Sequence, residues 1–121
     1  MATPESKVKR KISARLKELG VWYHMPTQRG LTQAGTPDYL CVYLGIPFSI
    51  EAKAGTNKPR KSQVLAMKTM RENGISTLVI NETNIAAIND MTNAIRSFYD
   101  HAAQFTAVDC LPETMKERAT P

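Results

Sequence analysis

Apolar residues recur every three to four positions at Val8, Ile12, Leu16 and Leu19, which predicts an amphipathic helix over residues 4–19. Thr3 is placed to cap it, Pro4 to sit in its first turn and Gly20 to stop it. The pattern then turns β-rich. Val21 to Met25 (VWYHM) reads as a short strand, and Tyr39 to Leu44 (YLCVYL) and Ile46 to Ala52 (IPFSIEA) read as two strands parted by Gly45, a hairpin signal. A helix from about Pro59 or Ser62 to Asn73 follows, with Gly74 as its stop, and Ile75 to Ile80 (ISTLVI) has the pattern of a buried strand. Thr83 is placed to cap a final helix through Tyr99, with Ile85, Ile88, Met91, Ile95 and Phe98 on its apolar side. Periodicity is lost over residues 100–121, where Phe105, Val108 and Leu111 are available to cover a core or a partner. There is no internal repeat and no low-complexity tract.

A chain of 121 residues fits one domain with a single core. The expected division is a domain over 1–100 and a tail over 101–121 that is partly ordered or forms an interface. Cys41 in a strand and Cys110 in the tail lie far apart, with no Cys-x-x-Cys or Cys-His spacing, so neither a zinc site nor a disulfide framework is indicated. Cys41 is expected to be a buried, reduced thiol. A charged amino terminus and the lack of any apolar run of membrane-spanning length make a cytoplasmic protein without a membrane partner the expectation.

Chemistry enters at the hairpin. Thr36-Pro37-Asp38 opens its first strand, and Ser49-Ile50-Glu51-Ala52-Lys53 ends its second, thirteen residues on from the aspartate. An antiparallel pairing centred between Leu44 and Gly45 sets Asp38 opposite Glu51, and directly opposed residues have Cβ atoms about 5 Å apart. Two carboxylates so placed can share one ion. The strand period of two puts Ser49, Glu51 and Lys53 on one face, read as chemical, and Phe48, Ile50 and Ala52 on the other, read as core. A hard cation such as Mg²⁺ takes oxygen ligands and keeps several waters. Asp38, Glu51, the Ala52 carbonyl and phosphate oxygens suit it, with the Lys53 ammonium nearby to offset charge on a phosphate. The rival reading is a turn dipeptide followed by a solvated Glu-x-Lys edge. Against it, the hairpin carries no charge between Tyr39 and Ile50.

Other residues gather around that centre with two readings each. Glu5 falls on the apolar stripe of the first helix, as a first-turn acid favoured by the helix dipole or as an acid that approaches the site. Lys7, Arg10, Lys11 and Lys17 lie off the stripe and face solvent or a phosphate backbone. The loop from Pro26 to Gly35 leads to Asp38; its Arg29 is either a phosphate contact or part of a surface connection, while Gly30 and Gly35 permit close backbone approach. His24 reads as structural. Ala54 to Lys61 is a basic loop containing Lys58, Arg60 and Lys61, and Gln63 stands in the first turn after it, either an exposed helical residue or a holder of water or phosphate. Residues 1–80 hold 13 Lys/Arg against 5 Asp/Glu, and residues 81–121 hold 3 against 6. The half with the carboxylate pair is thus the basic half, an electrostatic footprint for nucleic acid.

The element order, with Asp38 opening the second strand and Glu51-Ala52-Lys53 ending the third, resembles the PD-(D/E)XK nuclease core. More narrowly, Glu5, Gly35-Thr36-Pro37-Asp38, Glu51-Ala52-Lys53 and Gln63 together resemble a stand-alone VRR-NUC domain, the virus-type replication-repair nuclease family. The match covers roughly residues 4–82 and leaves out the last helix and the tail. The resemblance implies an α/β restriction-endonuclease-like core (α-β-β-β-α-β) with an additional C-terminal helix. It implies that Asp38, Glu51 and the Ala52 carbonyl bind Mg²⁺ or Mn²⁺, that Lys53 orients the attacking water, and that Gln63 and Glu5 complete the site. It also implies a homodimer acting on branched DNA such as Holliday junctions, which agrees with the need for two active sites to cut a junction symmetrically. Lys11, Arg29, Lys58, Arg60 and Lys61 are the expected nucleic-acid contacts.

Two other readings compete. A sequence-specific restriction-type endonuclease uses the same core, but a chain this short has little room for a separate recognition domain. A non-catalytic nucleic-acid-binding module would explain the basic half, yet Asp38 and Glu51 would repel the backbone that the lysines attract.

Overall fold

The computed structural model describes residues 2–27 and 34–102. Arg29 and Gly30, and also Phe105, Val108, Cys110 and Leu111, lie outside them. The elements run α1 (Pro4–Glu18), β1 (Trp22–His24), β2 (Tyr39–Tyr43), β3 (Ile46–Ala52), α2 (Lys61–Glu72), β4 (Ser76–Ile80) and α3 (Ala87–Ala102). The strands form one sheet in the order β1-β2-β3-β4. β1 and β2 pair antiparallel, as do β2 and β3, whereas β3 and β4 are parallel. A parallel pair cannot close through a tight turn, and α2 supplies the crossover.

The hairpin register is the expected one: Tyr39 pairs with Ile50 and Tyr43 with Ile46. Its turn has φ 50° at Leu44 and 82° at Gly45, the two left-handed residues that a two-residue turn matched to strand twist demands. Glycine adopts that conformation freely, and leucine does so rarely.

Helices cover both faces of the sheet. The Tyr39 hydroxyl donates to the Lys9 carbonyl at 2.8 Å and lies 2.9 Å from Ser13 Oγ, which pins α1 to one face. Arg96 of α3 donates to the Tyr43 hydroxyl on that same face. Between them lies the apolar core, in which Ile12, Leu16, Tyr39, Ile50, Ile80 and Ile88 are completely buried. α2 packs on the opposite face, where Arg71 donates to Thr77 and Gln63 to Glu51. Gly35 makes that packing close: its φ is 83°, and an added Cβ would run into the Ser62 backbone at the start of α2.

Three expectations need correction. β1 has three residues rather than five, because only Trp22, Tyr23 and His24 find partners on β2. α3 begins at Ala87, not beside Thr83, since asparagine side chains compete for the backbone there. Asn81 Oδ1 accepts from the Thr83 amide and hydroxyl, and Asn84 Oδ1 accepts from the Asn81 amide. Phe98 is 63 % exposed, so the apolar stripe of α3 outruns the sheet that buries Ile88 and Ile95. The polar and apolar faces of β3 fall where the strand period of two places them, and both are covered. Ser49 and Glu51 are as buried as Phe48 and Ile50, because α2 roofs the polar face.

Candidate active site

Asp38 directly precedes β2 and Glu51 stands next to the end of β3, so the hairpin register carries the two carboxylates to the same end of the sheet. Asp38 is anchored across the hairpin: its Oδ2 accepts from the Ala52 amide at 2.8 Å. Its Oδ1 lies 3.4 Å from the Lys9 ammonium of α1. Glu51 is nearly sealed from solvent, and its Oε1 accepts from Gln63 Nε2 at 2.7 Å and lies 3.6 Å from Lys53 Nζ.

Gln63 is an oriented side chain rather than an exposed helical residue. Its other amide atom, Oε1, accepts from the Arg60 amide at 2.7 Å, which satisfies one of the donors left open at the α2 start and fixes the Nε2 end toward Glu51. The first turn of α2 thus holds a carboxylate of β3 in place.

Burial and the neighbouring Asp38 charge push the Glu51 carboxyl up to about 7, with Lys53 opposing part of the shift. The loss of water around Glu51 and the neighbouring Asp38 charge both disfavour the ionised form of the Glu51 carboxyl. A divalent cation would offset both, and the donor chemistry suits a hard ion. No group of three His, Cys, Asp or Glu side chains capable of holding a metal occurs among the described residues. Two carboxylates with a backbone carbonyl fit an ion that retains water, and do not fit a dry, all-protein cage.

A cleft of about 370 Å³ opens over this centre. Asp38, Glu51, Lys53 and Gln63 line it, together with Glu5, Lys9 and Arg60. Glu5 therefore faces the site from the first turn of α1, and Arg60 belongs to the site's wall rather than to a distant contact surface. Lys58 lines an adjoining cleft, Lys11 a further one along α1, and Lys61 is exposed at the α2 start. His24 is exposed on β1. Arg29 lies outside the described residues.

Lys9 is the site residue that the sequence reading passed over. It sits one helical turn after Glu5, and residues four apart share a helix face, so the inward placement of Glu5 was the signal for it.

A mixed sheet of antiparallel hairpin and parallel crossover, with α1 and α3 on one face and α2 on the other, defines the class as a three-layer α/β fold. No protein-family model and no curated protein matches the chain. Among solved structures, a VRR_NUC domain is similar to it with a TM-score of 0.63 and 21 % identity, over 74 % of this chain and 97 % of that one. The chain has a VRR-NUC-like fold.

Proposed function

We propose that the protein is a metal-dependent, structure-selective DNA endonuclease that hydrolyses phosphodiester bonds in branched DNA such as Holliday junctions, and that it acts as a homodimer. The observation that carries this reading is the sealed Glu51 carboxylate pressed against Asp38, with two ammonium groups, Lys53 and Lys9, on the same cleft. A pure binding module gains nothing from two clustered acids that repel a phosphate backbone. The VRR_NUC neighbour supports a nuclease on the level of fold.

In this reading Asp38, Glu51 and the Ala52 carbonyl hold Mg²⁺ or Mn²⁺, which when bound supplies Lewis-acid charge to the phosphate oxygens. The protein's own groups do the rest. Lys53 orients the attacking water and offsets negative charge as it grows on the phosphorus oxygens. Gln63 keeps Glu51 turned toward the cleft, and Lys9 steadies Asp38. Arg60, at the cleft wall, offers a forked donor to a non-bridging oxygen. Glu5 stands at the mouth, within reach of water entering the site. Lys11, Lys58 and Lys61 extend the positive surface along the strand. The exposed apolar side chains Trp22, Leu40 and Val42 on the outer side of β1 and β2 offer a second copy a surface to cover.

Labelled single-stranded, duplex, nicked, flap, three-way and four-way DNAs, incubated with Mg²⁺, Mn²⁺ or EDTA, test the proposal. Metal-dependent cutting is expected, reduced by at least about a hundredfold in Lys53→Ala, the scale on which a charge-stabilising group acts. Paired nicks confined to the four-way junction identify a resolvase. Equal cutting by Lys53→Ala and wild type would sink the assigned site. Mn²⁺ is also expected to raise the melting temperature of the wild type and not of Asp38→Asn, a readout that needs no turnover.

A further inference from the structure

The active-site cleft continues in one direction. A second cleft of about 450 Å³ shares Glu5 and Lys53 with it, and a third of about 550 Å³ shares Pro4, Ala54 and Asn57 with the second. The third lies beyond the carboxyl ends of the parallel strands β3 and β4, where α/β sheets characteristically hold ligands. Pro4, Val8 and Ala54 give it an apolar floor, and Lys7 and Lys11 form its basic side.

Its far wall is preformed. The turn from Ala54 to Asn57 closes on its own backbone at 3.1 Å, and the Gly55 amide donates to both oxygens of Glu82, at 3.0 and 3.1 Å. Asn81 Nδ2 donates to the Gly55 carbonyl at 2.9 Å. Glu82 is thereby occupied as a fastener of the turn. A wall already ordered lowers the entropy lost when a ligand binds.

We infer that this third cleft is a nucleotide subsite that takes one unpaired nucleotide of the strand being cut, its base on the apolar floor and its phosphate between Lys7 and Lys11. The inference rests on the endonuclease reading and gives it a source of structure selectivity. A base stacked in a duplex presents only its edges to a protein, whereas an unpaired base presents a face that can lie on an apolar surface. The volume is that of a small-ligand pocket, too small for a duplex and ample for one nucleotide. Flaps, and branch points where the pairs at the crossover open, supply unpaired nucleotides, and continuous duplex does not.

The test is binding in EDTA, without turnover, to a flap DNA and to a fully paired duplex, with 2-aminopurine at the first unpaired position of the flap. Wild type is expected to prefer the flap by about tenfold, the equivalent of one stacked base, and to change the 2-aminopurine emission. Thr56→Trp, at an exposed turn position on the cleft wall, fills the cleft and is expected to remove both the preference and the emission change. Lys7→Ala with Lys11→Ala is expected to weaken flap binding more than duplex binding. Thermal unfolding followed by circular dichroism confirms that both variants fold. Equal weakening of flap and duplex by both variants, or a wild type with no flap preference, overturns the subsite. The two proposals fail separately: metal-dependent cutting without flap preference removes only the subsite, and flap preference without cutting removes only the nuclease.

Discussion

The two faces of β3 are buried alike and built from opposite materials. Phe48, Ile50 and Ala52 lie at 1 % exposure or less under α1 and α3, while Ser49 and Glu51 lie at 1 % and 3 % on the side that α2 roofs. On the first face burial removes carbon from water and stabilises the fold by roughly 25 cal/mol per Å². On the second it removes a carboxylate from water, which costs stability unless the charge is matched. The fold accepts that cost at one position only on the strand, and it does so beside Asp38, Lys53 and Gln63. Burial alone therefore does not separate framework from site. The sign of its energetic contribution does.

The largest expected effect follows directly. Ile50→Ala removes a fully buried side chain from the centre of the sheet and is expected to destabilise the protein by about 2–5 kcal/mol, read as a lowered midpoint in urea with an unchanged slope. Glu51, its neighbour in the strand and equally buried, is expected to respond in the opposite direction when its charge is removed. If Glu51→Gln and Ile50→Ala both lower the midpoint substantially, the two faces serve the same purpose and the contrast is broken.

The contrast was half legible in the sequence. The register of the hairpin could be read because Gly45 marks the turn, and an antiparallel pairing centred between Leu44 and Gly45 sets Asp38 opposite Glu51. What could not be read was the roof. Whether Ser49 and Glu51 meet solvent depends on where α2 returns, and that depends on a close approach at Gly35 to the Ser62 backbone, set by tertiary packing and not by local pattern. The same limit hid Lys9, which becomes a site residue only once α1 is laid across the strand ends, and moved the start of α3, where Asn81 and Asn84 outcompete a Thr83 cap. Phe98 fits the helical period perfectly well; the sheet beneath it simply ends first.

A smaller effect sharpens the difference between the faces. The Glu51 carboxyl is raised from an ordinary 4.5 to about 7 by burial and by Asp38, so between those values the folded chain binds more protons than the unfolded one. Stability attributable to this group is then present at low pH, falls as pH rises from about 4.5 to about 7, and stays at its lower level above that. Glu51→Gln retains an oxygen for Gln63 Nε2 and has no charge to bury. Without metal at pH 8 it is expected to exceed the wild type by on the order of 1 kcal/mol, with the gain shrinking towards pH 4.5. Urea unfolding in EDTA across this range checks it, and a gain independent of pH would assign the difference to packing instead of charge. Added Mn²⁺ is expected to reverse the order of the two proteins, since only the wild type has both carboxylates.

The smallest effect joins the faces. The Tyr39 ring belongs to the apolar side, and its hydroxyl holds the carbonyl of Lys9, the residue whose ammonium reaches Asp38 on the chemical side. Tyr39→Phe keeps the ring and loses this bond, for an expected 1 kcal/mol or so of stability. If the bond also aims Lys9, Tyr39→Phe and Lys9→Ala are expected to be non-additive in cleavage rate: once the ammonium is gone, freeing its helical turn has nothing further to misplace. A double-mutant cycle on the four-way junction reads this. Effects that simply multiply would leave Tyr39 as an anchor of α1 and place the steering of Lys9 wholly in its ion pair with Asp38.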